Sequence, residues 1–169
     1  MNQFTSDEIR ETFDAYIAAT TARPFDYERY IDCFAEHVDF ADWGLSAHIV
    51  GRREDLGAAV AGFSEFVVPF DLARTGPLSI SGNTAMSEFV WTIPTALIRD
   101  ILEGSSSKVR AEDCAEIRVP VVSVMELNRD RKIVRYRDFF NPLSISGPLG
   151  LSGDELVQRM LGLRNPNNA

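Results

Sequence analysis

The sequence predicts a single α+β domain in which three N-terminal helices pack on a strongly bent antiparallel sheet, and three observations predict it. The chain has 169 residues, enough for one domain with a sizeable core. Apolar residues recur at helical spacing in its first third, whereas the rest carries long β-branched and aromatic runs broken by polar reversals. Helices followed by consecutive strands belong to a layered α+β architecture. There is no internal repeat, so residues 1–169 form one domain.

The first helix starts at Thr5 or Ser6, either of which can cap it, and Asp7 and Glu8 suit its first turn. Ile9, Phe13, Tyr16 and Ile17 form its apolar stripe, and Pro24 ends it or starts a turn. A second helix, residues 26–36, presents Tyr27, Tyr30, Ile31 and Phe34, with His37 closing it. Residues 38–43 read as a short strand, 44–49 as a loop carrying His48, and 53–66 as a third helix with Leu56, Val60 and Phe63 on one face.

The strands follow at 68–73, 78–81, 84–93, 115–127 and 132–141. Gly82-Asn83 is a hairpin signal, and residues 128–131 are a second polar reversal. Residues 95–113, with their Gly-Ser-Ser-Ser run, read as an extended hairpin arm or loop. The tail, residues 142–169, holds one short helix over 154–161 and frays at its end.

Composition narrows the function. The net charge of −8 gives no basic face for nucleic acid or for an anionic membrane surface. A neutral, largely apolar organic molecule suits this chain better, held in the cavity that a curved sheet leaves above its helices. No apolar run approaches the roughly 20 residues of a membrane span. The N-terminus lacks a basic start followed by an apolar core, so a cytoplasmic location is expected. Cys33 and Cys114 match no metal spacing and read as buried thiols, and the two histidines match none either. With no nucleophile elbow and no phosphate loop, neither cofactor nor metal is expected.

Two stretches carry a family resemblance. One is Phe34-Ala35-Glu36-His37-Val38-Asp39-Phe40-Ala41-Asp42 followed by Val50-Gly51-Arg52 and a helix. The other runs from Val119 to Leu127, turns, and continues from Lys132 to Asn141. Together they resemble the SnoaL-like branch of the nuclear-transport-factor-like cone fold, and the second is similar to limonene-epoxide-hydrolase-like proteins. The resemblance implies a cone-shaped barrel enclosing a pocket, and a homodimer formed through the outer sheet face, where Arg135, Arg137 and Glu88 belong. Tyr136 and Asp138 match an aromatic and a catalytic Asp of the epoxide hydrolases. The Arg and Asp that complete the hydrolase relay fall at Phe89 and Trp91, so the relay is incomplete. The segment ending at Asp42 also resembles the ketosteroid-isomerase segment that ends in a general-base Asp.

Strand alternation sorts the candidates. Val134, Tyr136, Asp138 and Phe140 share one face of the last strand. A carboxylate buried there is pushed towards neutral pH and can act as a general acid or base. The plainer alternative is an ion pair between Asp138 and an arginine across the sheet. Asp42, at the end of the first strand, is a second proton-transfer candidate or a turn-capping residue. His48 is a third, as an acid–base group near neutral pH, and the Tyr136 hydroxyl is a donor to substrate. Phe40, Trp43, Phe89, Trp91, Val121 and Phe140 are the expected apolar lining. The function expected is isomerisation or cyclisation of a polycyclic, terpenoid or polyketide-like molecule by proton transfer. Epoxide hydrolysis at a rearranged site, or binding without turnover, are the alternatives.

Overall fold

The computed structural model describes residues 4–42, 47–60, 71–95 and 115–163. Helix α1 (Ser6–Thr21) opens with a capping box: the Glu8 backbone N–H donates to Thr5 Oγ1, and the Thr5 N–H donates to Glu8 Oε2. Its buried stripe is Ile9, Phe13, Tyr16 and Ala19. Helix α2 (Tyr27–Asp32) is capped by Asp26 and buries Tyr30 and Ile31. It is shorter than the helical spacing suggests. From Phe34 the chain enters strand β1 (Phe34–Asp42), because sheet pairing claims these residues: the Ile133 N–H donates to the Cys33 carbonyl, and Phe34 pairs with Ile133. His37 therefore lies exposed on β1 and closes no helix.

Strand β2 (Ala47–Arg52) pairs antiparallel with β1, so the loop expected over 44–49 is a strand from Ala47 onward. Helix α3 (Arg53–Val60) follows, and the expected continuation to 66 lies outside the described residues. Strands β3 (Asp71–Arg74), β4 (Ser79–Ser81), β5 (Thr84–Pro94), β6 (Glu116–Leu127) and β7 (Ile133–Phe140) complete a seven-stranded sheet. The sheet order is β2-β1-β7-β6-β5-β3, with β4 also paired to β5. The pairing of β1 with β7 is parallel, where a wholly antiparallel sheet was expected. It brings the N-terminal strand beside the last one, and no local signal encodes such a contact.

The tail forms two helices where one was expected, α4 (Leu143–Leu149) and α5 (Gly153–Leu163). Gly150 makes the break between them in the left-handed conformation, φ 69°. Ser152 and Glu155 then form a second capping box. The arm expected over 95–113, except Thr95 itself, and Cys114 lie outside the described residues.

The sheet buries one face. Along β6, Ile117, Val119, Val121, Ser123, Met125 and Leu127 are buried, and the alternate residues are partly or fully exposed. Helices α1 and α2 cover one end of this inner face, packing around Phe13, Tyr16, Tyr30, Phe34 and Tyr136. Ile145, Leu149 and Leu156 of the tail helices cover the other end, over Ile93, Ile117, Val119 and Val121. No described helix is long and apolar enough to cross a membrane.

Candidate active site

The register places a polar row across the buried face. Ser87 of β5 pairs with Ser123 of β6, Ser123 with Asp138 of β7, and Asp138 with Asp42 of β1. All four are buried, at 2%, 0%, 3% and 7% exposure. Apart from Arg137, they make up the buried polar and charged set among the described residues. Apolar rows flank them: Met125, Tyr136 and Phe40 on one side, Phe89, Val121 and Phe140 on the other. Phe40 and Tyr136 stack with ring centroids 5.2 Å apart.

Within the row, Ser123 Oγ donates to Asp138 Oδ1 at 2.5 Å, and Tyr136 Oη donates to Ser123 Oγ at 3.2 Å. Among the described residues no cation pairs with Asp138, which answers the expectation of an arginine partner. The arginine beside it in sequence, Arg137, points to the opposite face. There it donates to the Asp39 carboxylate and, at 2.7 Å, to the backbone carbonyls of Asp39 and Tyr136. Alternation along β7 separates the two charges, so the buried acid and the buried base never meet.

Burial first, and then the charge of Asp42, push Asp138 up to about 7, against hydrogen bonds from Ser123 and Tyr136 that pull it down. Tyr136 is held well above its ordinary value by burial and by the charge of Asp138. Tyr16, on α1, is raised by burial and by the neighbouring Tyr136, Tyr30 and Asp138. Its ring centroid lies 4.9 Å from that of Tyr136. A carboxyl that titrates near neutrality among neutral hydroxyl donors can take a proton from a substrate and return it.

The remaining expected site residues divide. Phe40, Phe89, Trp91, Val121 and Phe140 share the inner face with Asp138 and Asp42. Phe89 stacks on Phe13 at 5.6 Å, and Trp91 lies against Phe140 at 5.6 Å. Trp43 lies outside the described residues. His48 is a correction: it sits on β2, exposed, with Nε2 2.9 Å from Asp39 Oδ1 in the outer-face cluster that also holds Arg137. It does not reach the Asp138 row. Asp39, drawn up by burial, is held below the usual carboxylate range by Arg137 and His48. The sequence reading treated Tyr16 and Tyr30 as helix core and gave Ser123 no tie to Asp138. The signal for Ser123 was a hydroxyl on the buried phase of an otherwise apolar strand face. Among the described residues no three His, Cys, Asp or Glu side chains group as a metal site.

A curled mixed sheet with helices over one face has counterparts among solved structures. A candidate SnoaL-like polyketide cyclase from Shewanella denitrificans superimposes with a TM-score of 0.65 at 17% identity, over 86% of this chain and 98% of that one. The chain has the SnoaL-like cone fold. A hypothetical protein with a ketosteroid isomerase-like fold from Catenulispora acidiphila matches this cone with a TM-score of 0.61 at 17% identity, over 85% of this chain and 95% of that one. SalBIII, an epoxide hydrolase/cyclase-like enzyme in pyran ring formation of the polyether salinomycin, matches with 0.58 at 14% identity, over 82% and 94%. No family model matches the sequence, and no curated protein is significantly similar to it. The likeness is therefore one of fold, and the cone's chemistry has to be argued from its own residues.

Proposed function

We propose that this cone is a cofactor-free acid/base enzyme that isomerises or cyclises an apolar polycyclic, terpenoid or polyketide-like molecule, with Asp138 moving the proton. The observation that carries the reading is a fully buried carboxyl that has hydroxyl donors for partners, no cation among the described residues, and a second acid, Asp42, beside it. A binding protein without turnover has little use for a buried acid that meets hydroxyls and no cation among the described residues, since its burial costs stability. Structural neighbours in cyclase and isomerase families support the same class. The test is metabolic. A strain lacking the gene accumulates an intermediate, the wild-type gene restores its conversion, and the Asp138→Asn gene does not. Restoration by Asp138→Asn would sink the reading.

Epoxide hydrolysis is the second reading. Against it stands Phe89, which the resemblance aligns with a relay residue and which is stacked on Phe13. Incorporation of oxygen from labelled water into a diol product would establish hydrolysis in its place.

We also propose that two copies pair through the outer sheet face. Met86 and Phe139 are 45% and 46% exposed there, beside a groove of about 630 Å³ lined by Glu88, Val90, Pro120, Val122 and Phe139. Arg135 and Glu126 supply both charge signs on the same face. Light scattering at micromolar concentration should report a dimer that Phe139→Asp dissociates; a monomeric wild type would refute the pairing.

A further inference from the structure

The hydrogen bonds at Asp138 run in one direction, from Tyr136 to Ser123 to the carboxylate. A serine hydroxyl has one proton to give and lone pairs to accept with. Ser123 gives that proton to Asp138 Oδ1 at 2.5 Å. Its own oxygen accepts from Tyr136. Ser123 has no exposed surface, and it stands on β6 between the equally buried Val121 and Met125 of the same face.

We propose that Ser123 is the positioning residue of this site, holding the Asp138 carboxylate in one orientation and linking it to Tyr136. Its kinetic consequence rests on the proposed function; its electrostatic consequence does not. A donor to the ionised form favours that form. Ser123 thus opposes burial and the Asp42 charge, and keeps Asp138 able to accept a proton near neutral pH. Among the described residues, the other titratable groups acting on or with Asp138 are Asp42 from β1, Tyr136 from β7, Tyr16 from α1 and Tyr30 from α2. In turnover, a bond from the substrate to hydrogen breaks as the O–H bond on Asp138 forms. The same proton then returns to another substrate atom, while Ser123 and Tyr136 keep theirs.

The experiment is a titration of the Asp138 carboxyl by carbon-13 NMR in the full chain without substrate, its resonance assigned by loss in Asp138→Asn. Ser123→Ala should raise the midpoint by about one pH unit, and Ser123→Thr, which keeps the hydroxyl, should restore it. The limb of the pH–rate profile set by the ionised acid should move with the midpoint. A midpoint unchanged in Ser123→Ala overturns the proposal. Should Ser123→Ala not fold, Ser123→Cys, which keeps a similar volume and offers only a weak donor, should raise the midpoint by less; an unchanged midpoint there overturns the proposal equally. The titration needs no turnover. A shifted midpoint alongside an active Asp138→Asn would therefore defeat the proposed function and leave the role of Ser123 standing.

Discussion

Asp42 and Asp138 are register partners across the parallel β1–β7 pair, on the buried face of the sheet. Parallel partners point the same way, so two acids distant in sequence confront each other where water cannot screen them. Asp42 is the second cause, after burial, of the high Asp138 value.

Asp138→Asn should leave the fold intact and cut turnover by at least roughly a hundredfold, the scale for a lost acid or base. The melting temperature separates this from a structural role. Folded Asp138 titrates near 7 against 3.8 for an unperturbed Asp, so between those pH values the folded chain holds more protons than the unfolded one. Its contribution to stability is full below about pH 4 and is lost as pH rises through 7. The asparagine does not titrate. Relative to wild type the variant should gain stability from pH 4 to pH 8, by a few kcal/mol at most, as read from melting curves at both pH values. A large melting loss at pH 8 would assign Asp138 to structure.

Asp42→Asn removes the charge that helps raise Asp138. The Asp138 midpoint should fall, and the limb of the pH–rate profile that it controls should move to lower pH. The movement should be smaller than the displacement from 3.8 to about 7, because burial remains the larger cause. An unmoved profile would show that the two acids do not interact during turnover.

Arg137→Ala should do the converse of Asp138→Asn. The guanidinium side chain is 10% exposed and serves the Asp39 carboxylate and two backbone carbonyls on the outer face. Its loss takes this donor from the two backbone carbonyls, while Asp39 keeps His48 and Arg135, at a cost of about 3 kcal/mol. The melting temperature should drop by roughly 6–12 °C, with activity per folded molecule within about twofold. Chemical denaturation and specific activity measured on one sample decide it.

His48→Ala should change turnover by less than about twofold, since a side chain 44% exposed, bonded to Asp39, takes no part in the Asp138 row. A hundredfold loss would return His48 to the catalytic group.

The alternation of β6 and β7 was legible in the sequence because its period is local: each residue's face follows from its neighbours two positions away. That reading put Tyr136 and Asp138 together on one face, and a cap at Thr5 or Ser6 with Asp7 and Glu8 behind it marked the first helix as plainly. What stayed hidden depended on other strands. Residues 34–37 have helical spacing after Tyr30, yet they pair with β2 and β7, and long-range pairing overrides a weak local preference. His48 looked like a loop histidine until β2 aligned with β1 and turned it to Asp39.

By itself the sequence determined the layers, the alternation of each long strand and the sharing of one face by Tyr136 and Asp138, because propensity and periodicity act within a few residues. The tertiary structure alone decided the partners. Asp138 received Ser123 and Asp42 in place of an arginine, because the register of three strands sets which side chains share a row. A one-residue slip of β7 would have put Arg137 on that row and Asp138 on the outer face.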